Sequence, residues 1–548
     1  MSKTAAVFAH LKTDFSSGLV VFLVALPLCL GIALASGAPL FSGVISGVIG
    51  GIVVGLISNS PLSVSGPAAG LTAIVLTAIT ELGSFELLIA AVVMAGCIQL
   101  VLGFLKAGTI SNYFPNNVIE GMLAGIGVII FLKQIPHAVG YDPDFEGDEA
   151  FIQSDGQNTF SELFSVIAHV HYGAITIAVI SLLLLLIWPK IKGLQNVKFI
   201  PPALVAVVFG IVINWYWIYT GSDFAISGDH LVQLPVPDSL MAWKNTFIAP
   251  DFSQLQNPKL WTVAITIAIV ASIETLLCIE AADRMDVHKR YTNTNLELKA
   301  QGVGNIISGF LGGLPMTSVV VRTSANAAAG AQTKLATIIH GIILLLCAVA
   351  IPSYLNWIPK ATLAAVLLLV GYKLANPKMF LKFYKKGIFQ YIPFVATFLG
   401  VVFTDLLKGV ALGLVINIIF ILWGNMKRAY IFRSENYKEG DIVYIDLAQE
   451  VSFLNKMSIK NTLMQLPEGS SVVIDASQTV YIAHDVLELI EEFRDIIAKE
   501  KAINLQLVGF KEAYAIDNTA VHNYVSIEHS YNVQRRRMEP KDKSKDKD

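Results

Sequence analysis

Arg322 is a permanent cation inside Gly312 to Gly330, GGLPMTSVVVRTSANAAAG, a stretch of small and hydroxyl-bearing residues flanked on both sides by apolar runs. Placing a guanidinium in a bilayer costs roughly 2.5 kcal/mol or more, so such a residue faces a polar interior, a partner or an anionic ligand. Glu274, in the apolar run Leu260 to Ala282, is the second charge of this kind. A carboxylate within a span marks an ion or proton pathway by default; desolvation raises its pKa and a nearby cation lowers it. A salt bridge between Glu274 and Arg322 is the structural alternative, and the two roles are compatible.

The elements that must position these groups are irregular. Gly312, Gly313 and Pro315 interrupt any helix, and Thr317, Ser318, Thr323, Ser324 and Asn326 add hydrogen-bonding groups. The pattern predicts a short, broken helix whose N-terminal amides and positive dipole end favour an anion. A second interrupted segment, Asn59 to Val75 (NSPLSVSGPAAGLTAIV), has a polar, glycine- and proline-bearing opening before its apolar continuation. These are the third and tenth of about fourteen segments. Matching places in two halves of seven predict an inverted repeat in which the broken helices meet near the midplane. The alternative is a pair of tightly packed small-residue helices.

The rest of the chain fits a membrane protein. Hydrophobic residues make up 54% of the 548 and charged residues 15%, against about 25% charged in soluble domains. Apolar runs of about 20 residues recur from Asp14 to Trp423. The opening residues lack an Ala-x-Ala-like cleavage site, so the first span is expected to be retained. Lys106, Lys190, Lys192, Lys198, Arg284, Lys289, Arg290, Lys373, Lys378, Lys382, Lys385, Lys386, Lys427 and Arg428 fall in connections on one side. The loop His137 to His171 on the other side carries Asp142, Asp144, Glu146, Asp148, Glu149 and Asp155. That bias predicts an even number of spans with both termini cytoplasmic. Cys29, Cys97, Cys278 and Cys347 lie in apolar runs without metal-ligand spacing and read as packing residues. His340 reads as a satisfied packing histidine, with a proton path as the other option.

Beyond Arg433 short strands (Asp441 to Asp446, Ser471 to Ile474, Ile503 to Val508) alternate with helical spacing (Ile459 to Gln465, Asp485 to Lys499), the pattern of a soluble α/β domain. The predicted organisation is an interfacial or cytoplasmic segment at 1–13, a transmembrane domain at 14–426, the α/β domain at 436–530 and a charged, disordered tail at 531–548.

The sequence resembles the SulP anion transporters, which end in a cytoplasmic STAS domain. The carriers are Asp14 with the proline-containing first span, SVSGPAAG (Ser63 to Gly70), SIETLL (Ser272 to Leu277), NLELKAQGVGNIISGFLGGLP (Asn295 to Pro315) and VRTSANAAAGAQTK (Val321 to Lys334). The resemblance implies a polytopic α-helical fold of fourteen segments as inverted sevens, divided into core and gate, with elevator-like movement, dimers and an inner-membrane location. It implies an anion between the third and tenth segments, held at Ser65, Gly66, Ala68, Ala69, Thr317, Ser318, Val319 and Arg322. In sodium-coupled bicarbonate relatives a carboxylate at the place of Glu274 helps bind sodium. Here Cys278 and Val320 stand where those relatives carry threonines, and sodium prefers hard oxygen ligands. The coupling set is therefore Glu274, Cys278, Ser318 and Val320, with sodium at Glu274 or a proton as the coupling ion.

Within the STAS resemblance, Tyr481 to Asp485 stands where simple relatives carry a phosphorylatable serine. A serine switch is not expected there; Asp485 is expected to cap the helix and His484 to lie on the surface. The expected function is symport of a small inorganic anion, bicarbonate first and sulfate second, then dicarboxylates and chloride. An uncoupled exchanger, channel or voltage-responsive protein is the other class. No nucleophile-base pair, phosphate loop or metal motif lies in a soluble region, so no enzyme and no cofactor is expected beyond the coupling ion. The partners expected are the anion, lipid and a second copy, and no nucleic acid.

Overall fold

The computed structural model describes residues 10–143, 151–152, 157–166, 169–191, 201–236, 246–427, 430–435, 442–514 and 516–518. The acidic residues Asp144, Glu146, Asp148, Glu149 and Asp155, with Lys192, Lys198, Arg428, residues 1–9 and the charged tail, lie outside them. Contacts divide the chain into two units, Met1–Asn417 and Ile418–Asp548.

The first unit is helical. In order it contains α1 (Leu11–Ala35), α2 (Leu40–Ile57), strand β1 (Ser65–Pro67), α3 (Thr72–Leu82), α4 (Phe85–Phe104), α5 (Asn116–Val139), α6 (Tyr172–Ile187) and α7 (Pro202–Thr220). There follow α8 (Pro258–Met285), α9 (Thr294–Phe310), strand β2 (Met316–Ser318), α10 (Val320–Ala328), α11 (Leu335–Ala350), α12 (Lys360–Leu374) and α13 (Ile388–Phe403); the next helix, α14 (Leu406–Lys427), includes the point of division. Among the described residues, eight helices are long and apolar enough to cross a membrane, and four shorter apolar helices accompany them. α9 starts in what reads in sequence as a polar linker, because its polar residues face a buried seam instead of solvent.

Small residues let these helices close on one another, as packing in lipid requires. A Cβ on Gly96 of α4 would lie 2.7 Å from the Gly302 carbonyl of α9, and one on Gly302 would lie 2.7 Å from the Leu100 amide. The cysteines are all free; Cys29 and Cys278 are buried, whereas Cys97 is exposed on α4 and is not a packing residue.

The two interrupted segments are not broken helices throughout. Each is a three-residue strand followed by a short helix, and β1 pairs with β2 antiparallel, in the register Ser65 with Ser318, Gly66 with Thr317 and Pro67 with Met316. Pro67 and Pro315 and the neighbouring glycines disfavour helix here, and the pairing returns to each chain the hydrogen bonds a helix would have supplied.

In the second unit a sheet runs in the order β3 (Tyr430–Glu435), β4 (Ile442–Leu447), β6 (Ser471–Asp475), β8 (Asn504–Val508), parallel except for the first pair. Two further two-residue strands, β5 (Glu450–Val451) and β7 (Tyr481–Ile482), pair with each other. Helices α15 (Lys456–Met464) and α16 (His484–Glu492) supply the apolar residues Ile459, Leu463, Val486 and Ile490 to the core over that sheet. Asp485 does not cap α16: the N-cap position is Ala483, without a side-chain cap, and Asp485 lies in the first turn 3.8 Å from Lys456 Nζ. His484 is exposed, as its sequence context suggests.

A feature missed in the sequence joins three connections at one end of the helical unit. Asp142, just past α5, accepts from His137 Nδ1 at 2.5 Å through one carboxylate oxygen and from His230 Nδ1 at 2.6 Å through the other. The strap after His230 then pairs with the segment before α12, Val232 N donating to Ile358 O at 3.0 Å and Asn356 Nδ2 to Leu234 O at 2.9 Å. His171, Asp229 and Lys360 are the other charged or titratable groups that act on this clamp.

Burial alone would raise the Asp142 carboxyl, but the two histidine hydrogen bonds bring it down to about 2. The bond to Asp142 raises His230 above its ordinary 6.5. The Asp142 contribution is therefore present above the ordinary 3.8 and lost as pH falls toward about 2; the His230 contribution is full below 6.5 and lost as pH rises through its raised value. Thermal unfolding should accordingly separate wild type from His230→Gln more at pH 5 than at pH 8.5. A pH-independent difference contradicts the clamp.

Candidate anion site

β1 runs through a tight turn at Ala69–Leu71 into α3, and β2 runs directly into α10, so two helix starts follow one small ladder. The first amides of a helix have no intrahelical acceptor. Hydrogen bonding divides the expected donors. Ser318 N donates to Thr275 Oγ1 at 3.3 Å and Val319 N to Val64 O at 2.9 Å, so both are occupied by protein. The first bond within α10 is Thr323 N to Val319 O, which leaves the Val320 and Val321 amides at the open end. On α10 the donor set thus moves one to two residues beyond the expected one.

The hydroxyls and amides around Arg322 serve the backbone. Asn326 Nδ2 donates to Leu62 O at 2.9 Å, Thr337 Oγ1 to Ser63 O at 3.0 Å, and Val64 N to Thr323 Oγ1 at 3.1 Å. Each bond satisfies a backbone group of the chain entering β1, where no water is available. Ser63 and Ser318 hydroxyls meet at 2.5 Å. Thr323 and Asn326, hydrogen-bonding groups of the stretch around Arg322, hold the chain entering the strand.

Arg322 is fully buried. Its Nη2 donates to Cys29 Sγ at 3.3 Å, whereas Nε and Nη1 have no hydrogen-bond partner among the described residues. A sulfur is a weak acceptor, so the cation lacks the partners that a buried charge requires. Gly66 makes room for it: a Cβ there would overlap the guanidinium. His340 is buried within the electrostatic reach of Arg322, but neither ring nitrogen has a hydrogen-bond partner among the described residues, so it is not the satisfied packing residue expected.

Glu274 is buried on α8, and a Cβ on Gly70 would overlap its carboxylate. One segment therefore offers Gly66 to the Arg322 guanidinium and Gly70, four residues later, to the Glu274 carboxylate. Of the proposed coupling set, Ser318 Oγ donates to Cys278 Sγ at 3.1 Å, and Thr323 Oγ1 lies 3.6 Å from the same sulfur. Val320 is buried and contributes no side-chain donor. Thr275, Ser63 and Thr323 are the oxygen-bearing neighbours that the sequence reading of this cluster left out. Gly70→Ala is expected to displace the Glu274 carboxylate and to lower anion uptake by about tenfold or more, since small misplacements at a site have effects of that size. Wild-type uptake by that variant contradicts the contact.

A family profile described as Sulfate permease family matches residues 11–397. A putative sulfate transporter of Bacillus subtilis, YvdB, is 29% identical over 75% of this chain and 73% of its own. The bicarbonate transporter BicA of Picosynechococcus is 26% identical over 66% of this chain and 62% of its own. Among solved structures, the transmembrane domain of a cyanobacterial BicA aligns with TM-score 0.50 at 25% identity, over 73% of this chain and 98% of that one. SLC26A9 aligns with TM-score 0.64 at 16% identity over 96% and 91%, a likeness of fold.

Proposed function

Since the chain belongs to the sulfate permease family and is a multi-pass membrane protein, we propose that it carries bicarbonate by cation-coupled symport, with the anion seated between the starts of α3 and α10 beside Arg322. The observation that carries this reading is the buried guanidinium, two of whose nitrogens have no hydrogen-bond partner among the described residues, next to two helix starts. Each helix start acts as about half a positive charge, so with Arg322 the site holds about two. The substrate supplies the missing negative charge. Donors on this reading are the amides of Ala69, Gly70, Val320 and Val321, with Gly66 and Ala68 shaping the approach and Ser65, Thr317, Ser318 and Val319 forming the frame behind.

Glu274 couples the cation. Its ionised carboxylate repels an anion held beside Gly70, and a proton or sodium ion on it removes that repulsion, so cation and anion bind better together than apart. Hydroxyls of Ser318, Thr275 and Thr323 supply the hard oxygens for sodium, while the Cys278 thiol weakens that site and favours a proton. Bicarbonate is preferred on the BicA relatives. Sulfate is the second reading: with Glu274 neutralised, a site of about two positive charges matches a dianion, and the YvdB relative carries a putative sulfate assignment.

On the same reading the fourteen segments form inverted sevens, since the third and tenth meet antiparallel at β1 and β2. A core that includes both strands moves as an elevator against a gate, the protein is a dimer in the inner membrane with both termini cytoplasmic, and the second unit is a STAS domain with a regulatory or assembly role. Uptake of labelled bicarbonate, then sulfate, into proteoliposomes under imposed sodium or proton gradients tests the function. Gradient-driven bicarbonate uptake supports it, proton-driven sulfate uptake selects the second reading, and uptake indifferent to either gradient refutes coupling.

A further inference from the structure

Two three-residue strands in a membrane interior have outer edges, and an unpaired backbone group there has no water to turn to. α9 supplies the partners. Glu297, Gln301, Asn305 and Ser308 recur on one face of that helix, all of them fully buried. Asn305 lies along β2 as a neighbouring strand would: its Oδ1 accepts from Met316 N at 2.7 Å and its Nδ2 donates to Met316 O at 3.0 Å. The remaining amide hydrogen goes to Gln99 Oε1 at 2.7 Å, and Gln99 Nε2 reaches Ser272 Oγ at 3.3 Å, two residues before Glu274.

Gln301 acts on β1 through a side chain instead of the backbone. Its Nε2 donates to Ser65 Oγ at 2.6 Å and to Glu297 Oε1 at 3.1 Å, and the Ser58 hydroxyl donates to the other oxygen of Glu297. A carboxylate only accepts, so Glu297 compels the NH2 end of Gln301 to face it and Ser65. Gln301 Oε1 is left without a hydrogen-bond partner among the described residues as the consequence of that orientation. At the end of the ladder Ser308 Oγ donates to Leu314 O at 2.9 Å, and Ser46 Oγ of α2 donates to the same carbonyl at 2.8 Å.

We propose that Asn305 and Gln301 are positioning residues of the anion site. By holding β2 through its backbone and β1 through Ser65 against one helix they set the spacing and angle of the two helix starts that follow, and through Gln99 and Ser272, Asn305 ties β2 to the helix that carries Glu274. This inference rests on the anion reading above, and it makes α9 a rigid spine whose polar face acts on the substrate without touching it.

Transport kinetics of wild type, Asn305→Ala and Gln99→Leu in proteoliposomes, each normalised to folded, monodisperse protein, test it. Asn305→Ala should raise the half-saturation concentration of the transported anion about tenfold or more, with the maximal rate per folded transporter changed by less than about threefold. Gln99→Leu leaves both Met316 bonds in place, and it should raise half-saturation by about threefold through loss of the support to Asn305. Reduced folded yield with unchanged half-saturation in Asn305→Ala overturns the proposal and makes the ladder purely structural. If Asn305→Ala does not fold, Gln99→Leu decides on the same criterion. Wild-type vesicles that take up no anion at all would instead refute the functional reading, an outcome separate from either variant's result.

Discussion

Arg322→Ala is expected to raise the half-saturation concentration for the transported anion by about 100-fold or more, equivalent to losing roughly 3 kcal/mol of charge-assisted binding. The size follows from burial. Among the described residues the guanidinium has Cys29 as its hydrogen-bonding partner and leaves Nε and Nη1 unsatisfied, so on the proposed reading much of what stabilises this charge comes from the anion. The exchange should also change the charge dependence of the site, because the two helix starts that remain carry about one positive charge between them. Arg322→Lys should restore little, since the cavity against Gly66 is shaped to a planar guanidinium. Anion affinity measured by uptake kinetics checks this; an unchanged value would leave Arg322 a structural role.

Glu274→Gln should abolish accumulation against a gradient while leaving anion exchange. Glutamine resembles the neutralised carboxylate in shape and charge, so the anion remains bound at near wild-type affinity or tighter, but no proton or sodium ion can be exchanged for it. Uptake driven by a tenfold cation gradient should fall to the level reached without one, whereas counterflow of labelled anion should persist. If gradient-driven accumulation survives in Glu274→Gln, the symport account loses its coupling residue.

Much of the site was legible in the sequence because cost is visible there. An arginine and a carboxylate in apolar runs, with glycine and proline nearby, single out Arg322, Glu274 and the two irregular segments before any fold is known. What was not legible is long-range. The pairing of Ser65 with Ser318, the closeness of Gly66 to Arg322 and of Gly70 to Glu274, and the grip of Asn305 on Met316 depend on register between segments far apart in sequence. The partners of Thr323 and Asn326 were hidden for a related reason: polarity announces a hydrogen bond without saying which group receives it. The amide set shifted from Ser318 and Val319 to Val320 and Val321 because the strand extends further toward the helix than its composition suggests. The acid clamp at Asp142 was hidden because His137 lies at the end of α5 while His230 comes from a connection far along the chain.

The central claim is that one anion sits between the starts of α3 and α10 beside Arg322. The most direct measurement is a difference map between the protein saturated with whichever anion the uptake assay selects and the same protein free of it. Density within hydrogen-bonding distance of the Ala69, Gly70, Val320 and Val321 amides, and absent in Arg322→Ala, is the predicted result. Density elsewhere in the helical unit, or an unchanged map from protein that transports the anion, contradicts it.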